Sequence, residues 1–261
     1  MSNLFDIACN FSSDRFDNDL KEVIQRAKNN NVTKFLVVSA SLKDADKVHR
    51  IYQDNKNSCF FTIGVHPHHA NEFGSFSSAE MIKLIEKYKP HSVGETGLDF
   101  FRNISSYEEQ LFAFEEQIQI AINTNLPLFL HQREAHDDFM KIISKYKNEI
   151  SKAVVHCFTG TQKELDDYLD MGFHIGLTGW ICDERRNVEL RKSLINIPIE
   201  KLMIETDCPY LIPRNLVDKP KNNRNEPSYL PHIANEIAGL VKIDMNEFAN
   251  ATFQNSVNFF K

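Results

Sequence analysis

The hydrophobic positions of this chain fall into short apolar runs separated by longer stretches of helical period. Leu4 to Cys9 reads as a first strand. Asp17 to Asn30 reads as a helix, with Leu20, Val23, Ile24 and Ala27 on one face. Lys34 to Val38 and Cys59 to Ile63 read as the second and third strands, with a helix over Asp44 to Asn55 between them. Ser78 to Tyr88 is expected to be helical, with Ser78 placed as its N-cap. A fourth strand, His91 to Gly94, precedes the clearest amphipathic helix, Tyr107 to Asn123, where Leu111, Phe114, Ile118 and Ala121 share a face. Pro127 to Leu130, Ala153 to Val155, Phe173 to Leu177 and Leu202 to Ile204 complete the strands. Helices over His136 to Tyr146, Glu164 to Met171 and Val188 to Leu194 lie between them, and Leu230 to Val241 and Met245 to Phe259 close the chain.

Strands alternating with helices predict a parallel sheet, and eight strands is the number that closes a TIM-like (β/α)8 barrel. An open doubly wound sheet shares the alternation. The 261 residues suit one α/β barrel, which runs to about 250 residues. No repeat, low-complexity tract or linker divides them, so a single domain over residues 1–261 is expected. The irregular stretch Pro209 to Pro231 follows the last strand, where long loops are often functional.

The polar residues change the picture from architecture to chemistry, because strand after strand runs into a His, Glu or Asp. The third leads to Gly64-Val65-His66-Pro67-His68, and the fourth to Gly94-Glu95-Thr96-Gly97-Leu98-Asp99. The fifth ends at His131, the sixth at His156-Cys157, and the eighth at Glu205-Thr206-Asp207-Cys208-Pro209. In a barrel these ends converge on the face that carries the active site. A lone strand-end histidine is more often a hydrogen-bonded structural residue than a ligand, and a lone Asp before Cys-Pro reads as a turn residue. Glu95, His131, His156 and Asp207 together are hard to explain as packing. Their donors suit zinc, manganese and related ions, and carboxylate alone suits magnesium better. His68, His69 and His136 are expected to be solvated or to support the ligands from behind. Cys157 and Cys208 read as packing residues. Nothing resembles a Ser or Cys nucleophile with an ordered base, a P-loop or a dinucleotide-binding glycine loop.

Composition is that of an ordinary globular protein, 42% hydrophobic and 25% charged. A net charge of −6 argues against a simple nucleic-acid binder, which usually carries a basic face, although bound cations offset acidity at a site. The five cysteines are scattered without a CxxC pair, which suits reduced thiols. The first residues, Met1 to Asp6, lack a secretory pattern, and no apolar run approaches the ~20 residues that span a bilayer. A cytoplasmic protein without membrane association is expected.

At these residues the chain resembles the TatD family of metal-dependent deoxyribonucleases. The likeness rests on the segments quoted above, on His131-Gln132-Arg133-Glu134-Ala135-His136, on Gly179 to Arg186, and on Arg224-Asn225-Glu226-Pro227 with Leu230-Pro231. The resemblance implies a TIM-like barrel, a divalent metal and hydrolysis of phosphodiester bonds. It implies metal ligation by Glu95, His131 and His156. Asp207 would be a ligand or general base, and His66 would contact substrate phosphate or the attacking water. Many relatives carry His-x-His on the first strand, where this chain has Ala8 and Asn10. One of two metal positions should therefore be weakened, since Asn10 offers only a neutral amide oxygen. This form is similar to the subgroup of 3′-to-5′ exonucleases that favour single strands.

The expected enzyme is thus a monomeric DNA or RNA exonuclease acting on single strands in DNA repair or degradation. Magnesium is the expected ion, with manganese and zinc as alternatives. The cation polarises a phosphoryl oxygen and acidifies water, and Asp207 accepts the proton. Arg133, Arg102, Arg185 and Arg186 are candidates to hold phosphates, against surface ion pairing. Phe101, Trp180 and Tyr210 are candidates to stack on bases. Two other readings stand beside this one. An amidohydrolase-like enzyme would use the same ligands on a C–N bond, and a metal-bridging lysine before His131, which would favour it, is missing. A non-catalytic binding protein would account for the missing His-x-His.

Overall fold

The apolar runs form one continuous parallel sheet in the computed structural model, which describes residues 2–261 and leaves Met1 outside. Among the described residues eight strands occur: β1 (Leu4–Cys9), β2 (Val32–Val37), β3 (Cys59–Ile63), β4 (Ser92–Asp99), β5 (Leu128–Arg133), β6 (Ala153–Val155), β7 (His174–Leu177) and β8 (Leu202–Ile204). Each pairs in parallel with the next, in chain order. β1 meets the segment just after β8 through a single bridge, Cys9 with Cys208, and Asn10 N–H donates to Cys208 O at 2.9 Å. This closes the expected (β/α)8 barrel and sets aside the open doubly wound sheet.

Side chains do much of the closing work at that seam. The Asp6 carboxylate, fully buried on β1, accepts from the Thr206 N–H at 2.9 Å and from its hydroxyl at 2.5 Å. Alternate residues of the strands, among them Phe5, Ile7, Leu36, Phe129, Val154 and Met203, fill the barrel interior. Phe259 and Phe260, at the end of the last helix, plug its N-terminal mouth, packing on His174 and Phe5. The apolar faces of the surrounding helices pack outside the strands in a second, larger cluster.

Helix ends follow local capping chemistry. The helix over Tyr107–Thr124 begins with a reciprocal box between Ser106 and Glu109, and that over Gln162–Asp170 with one between Thr161 and Glu164. Ser78 is not a cap. It lies inside the helix Ser77–Tyr88, and its hydroxyl donates to Glu116. The helix expected over His136 to Tyr146 shortens to His136–Ile143 and tightens into a 3-10 turn, Ser144–Tyr146. The largest difference is β4, which runs on to Asp99 instead of stopping at Gly94. No helix among the described residues is long and apolar enough to cross a membrane.

The stretch after β8 is irregular but pinned. The Arg224 guanidinium reaches Asp19, Glu226 and the Arg15 carbonyl. Arg15 in turn donates to the Pro209 and Asn223 carbonyls. This loop is thereby tied to the connection leaving β1.

Candidate metal centre

A bulge in β4 creates the site. Val93 pairs with Leu128, yet the next rung joins Thr96 to Leu130, so β4 has an extra residue between them. A bulge of this kind bends a strand and re-aims a side chain. Here Glu95 sits at the bulge, almost fully buried. Gly97 permits the close approach of β4 to β5. Its φ is +146°, and a Cβ there would lie 1.8 Å from the His131 carbonyl.

One oxygen of Glu95, Oε1, is the meeting point of three imidazoles. His156 Nε2 lies at 2.7 Å, His131 Nδ1 at 2.9 Å and His66 Nε2 at 3.2 Å. The three histidines come from the ends of β3, β5 and β6, so the barrel mouth gathers residues distant in sequence. Burial alone raises the Glu95 carboxyl, but the imidazoles of His156, His66 and His131 overcome it and hold it well below its usual range. Burial lowers His131 and His156, and the facing carboxylates outweigh it: Asp99 and Glu95 raise His131, and Glu95 and Glu205 raise His156. Burial dominates at His66, which falls to about 4.

Asp207 lies beside this cluster. Its Oδ1 accepts from the Asn10 amide at 2.9 Å. Burial pushes its carboxyl up to about 7 against the attraction of His156, and the charge of Glu95 adds to the rise. Asn10 also donates to the Cys208 carbonyl at 3.1 Å, so it acts as a donor that fixes Asp207. Ala8, in the other position of interest on β1, is buried in the barrel interior among apolar residues.

The donors fit a divalent cation. His131 Nδ1 and His156 Nε2 turn to the Glu95 oxygen, while their opposite ring nitrogens, buried without a hydrogen-bond partner, lie 3.4 Å from Asp99 Oδ2 and 3.5 Å from Glu205 Oε1. Ligand atoms of His66, Glu95 and His131 can all lie within 4.8 Å of one another. The carboxylates that raise His131 and His156 favour positive charge at this cluster, and a divalent cation would supply it in place of protons.

Asp99 and Glu205 also belong to the site, although the sequence pattern did not single them out. Asp99 is buried, and its Oδ2 lies 2.7 Å from His68 Nε2 and 3.4 Å from His131 Nε2. Glu95, Gly97 and Asp99 alternate by two, which places them on one strand face. That period was the available signal. His68, expected to be solvated or to support the ligands, pairs with Asp99 and not with Glu95. Glu205 is fully buried, accepts from the Cys157 N–H and lies 3.5 Å from His156 Nδ1.

The remaining candidates separate. His69 pairs with Glu72 on the surface. His136 faces Tyr168 and Asp167, lining a cleft of about 500 Å³ between the turn after β5 and the start of the helix at Gln162, which none of Glu95, His66, His131, His156 and Asp207 lines. Cys208 is buried, and burial pushes the Cys157 thiol up to about 12, which suits packing. Arg185 is engaged by Asp183 through two bonds of 3.0 and 2.9 Å, the surface pairing weighed for it. Arg186 lies 5.6 Å over Trp180. Arg102 and Arg133 have no ion pair within 4.0 Å among the described residues. Tyr210 and Phe101 are half-exposed, whereas Trp180 packs against the core.

Comparison with known proteins bears on this geometry. A model of the family described as TatD related DNase matches residues 5–261. A Pantoea vagans protein named 3'-5' ssDNA/RNA exonuclease TatD is 41% identical over 258 residues, covering 99% of both chains. A solved TatD family hydrolase from Entamoeba histolytica shares 32% identity with a TM-score of 0.88, covering 99% of this chain and 98% of its own. A TatD homologue from Escherichia coli has a TM-score of 0.90 at 24% identity, with coverage of 98% and 97%, and attests the fold alone.

Proposed function

Because this chain belongs to the TatD related DNase family, we propose that it is a hydrolase that removes nucleotides from the 3′ ends of single-stranded DNA or RNA. The relatives' name supplies the polarity and the substrate. The observation that carries the reading is the convergence of His66, His131 and His156 on one Glu95 oxygen at the barrel mouth, with Asp207 alongside.

Glu95, His131 and His156 hold the cation, with Asp99 and Glu205 orienting the two imidazoles from behind. When bound, a divalent cation supplies Lewis-acid stabilisation of the phosphoryl group and acidifies water. Asp207, positioned by the Asn10 amide, takes the proton released as water attacks. His66, neutral because of its burial, donates or accepts a hydrogen bond at the phosphate without adding a charge. Arg102 and Arg133 reach the flanking phosphates with unengaged guanidinium groups.

Magnesium is our choice of ion from the family likeness, while three imidazoles are donors better matched to manganese or zinc. We take residues 1–261 as one catalytic unit, working as a monomer in the cytoplasm in DNA repair or degradation; the five free cysteines favour a reducing compartment. Metal-stripped protein should be inert on end-labelled single-stranded oligonucleotides, and separate additions of magnesium, manganese and zinc should rank the ions. Products shortening from the 3′ end support the reading. Full activity under a strong chelator, or hydrolysis of small amides in preference to phosphodiesters, defeats it.

A further inference from the structure

We propose that Phe101 and Arg133 form a stacking platform for a base of the unpaired strand next to the phosphate being cleaved. The proposal rests on the nuclease reading above and names how that site selects single strands.

Position is the first argument. On the paired strands, Gly97 faces His131 and Asp99 faces Arg133. Arg133 thus lies two residues past a ligand, about 7 Å further out along the strand and on the same face. Phe101 follows Asp99 by two. Rigidity is the second argument. Asp99 Oδ2 faces His68 and His131, while its Oδ1 accepts the Arg102 N–H at 2.8 Å and fixes the turn that carries Phe101. The Phe100 N–H donates to the Arg133 carbonyl at 3.0 Å. One carboxylate therefore anchors both the ligand cluster and the platform.

The third argument is the surface the pair presents. The Arg133 guanidinium lies 3.9 Å above one face of the Phe101 ring. Phe101 remains 51% exposed with Arg133 against its ring. Arg133 has no carboxylate partner within 4.0 Å among the described residues, and its fork of donors remains free for a phosphate. An aromatic face backed by an unpaired cation is the chemistry that receives a base and the anion attached to it. A base within a duplex end is already stacked and paired and does not reach such a face, whereas a base of a single strand does. Every base has a π-face, so the platform tolerates sequence.

The test uses the full-length, metal-loaded protein and oligonucleotides carrying a single abasic position walked through the last nucleotides of the 3′ end. Phe101→Ala should raise KM on the intact strand about tenfold, the scale of one lost base stack, with kcat little changed. At one abasic position the wild type should lose the same factor while Phe101→Ala loses nothing further. Phe101→Trp should restore the wild-type pattern. Fluorescence anisotropy of the same strands, measured under chelation, reads binding without cleavage and should show the same non-additivity. If wild type and Phe101→Ala lose equal factors at every abasic position in both measurements, the platform is overturned. Non-additive binding by a protein that cleaves no strand would instead overturn the nuclease reading and leave the platform standing.

Discussion

Replacing Asp6 by asparagine should remove a large pH dependence of stability. Asp6 is fully buried at the seam between β1 and β8, and burial pushes its carboxyl from 3.8 up to about 7, against hydrogen bonds from Thr206 and Ala8 that favour the anion. In the unfolded chain the group ionises near its ordinary value, so between these two values the folded state retains a proton that the unfolded state has lost. Folded-state stability is therefore fully present below pH 3.8 and is lost as the pH rises through about 7. A gap of about three pH units at 1.36 kcal/mol each gives about 4 kcal/mol, of which about 2.5 kcal/mol falls between pH 5 and pH 8. The asparagine amide oxygen still accepts the Thr206 N–H. Its amide nitrogen faces the Thr206 hydroxyl oxygen, which already accepts the Cys208 N–H at 3.2 Å and has room for a second donor. Urea unfolding of wild type and Asp6→Asn at fixed metal and ionic strength, in half-unit steps from pH 5 to 8, cancels the contribution of every other group. The difference should move toward the variant by about 2.5 kcal/mol across that range. Parallel curves would refute the argument and would mean that Asp6 is already ionised in the folded protein at pH 5.

Other perturbations test the metal centre. His131 and His156 are raised by the carboxylates around them, so a cation must displace their protons; calorimetry in buffers of different ionisation enthalpy should show proton release, and affinity should climb as the pH rises. Asp99→Asn weakens the hold on His131 and His68 and should lower metal affinity or activity by about 10- to 100-fold while the thermal midpoint changes little. Gly97→Ala, with a Cβ 1.8 Å from the His131 carbonyl, forces β4 from β5 and should cost about 3 kcal/mol or more; a melt unchanged from wild type would show that the two strands separate freely there.

What the sequence revealed, and what it hid, follows from how each element is stabilised. Strands whose cores are plain apolar runs, such as Cys59–Ile63 and Ala153–Val155, begin and end where the apolar pattern does. β4 was cut short because Gly94, Glu95, Thr96 and Gly97 carry no apolar signal, although all eight of its residues are buried. They are buried because the bulge turns a carboxylate to the imidazoles, a long-range fact that local pattern does not hold. The cluster itself was legible, since ligand-type residues at several strand ends point to one face whatever the details. Asp207 and Cys157 were harder to orient by alternation, because both leave the strand at positive φ, 54° and 48°. Asn10 was weighed as a poor ligand. Its contribution is donation to Asp207, which only the folded seam makes evident. The sequence offers Arg133 only as a candidate to hold phosphate, and its contact with the Phe101 ring depends on a turn that Asp99 sets from inside the site.

A barrel joined by one backbone bridge between its first strand and the segment after its last contains two latent sheet edges. Before the ring shuts, β1 and β8 each offer unpaired N–H and C=O groups to any strand that arrives, including one from a neighbouring chain. The residues placed there make a stranger a poor match. Asp6 aims a carboxyl inward at a position where a foreign strand would have to bury it, and Thr206 supplies two of the three donors that satisfy it. The loop pinned by Arg224 to Asp19 then bridges the two edges from outside. The joint that looks weakest when bonds along the sheet are compared thus protects the chain against self-association, because its two halves are complementary to each other and to little else.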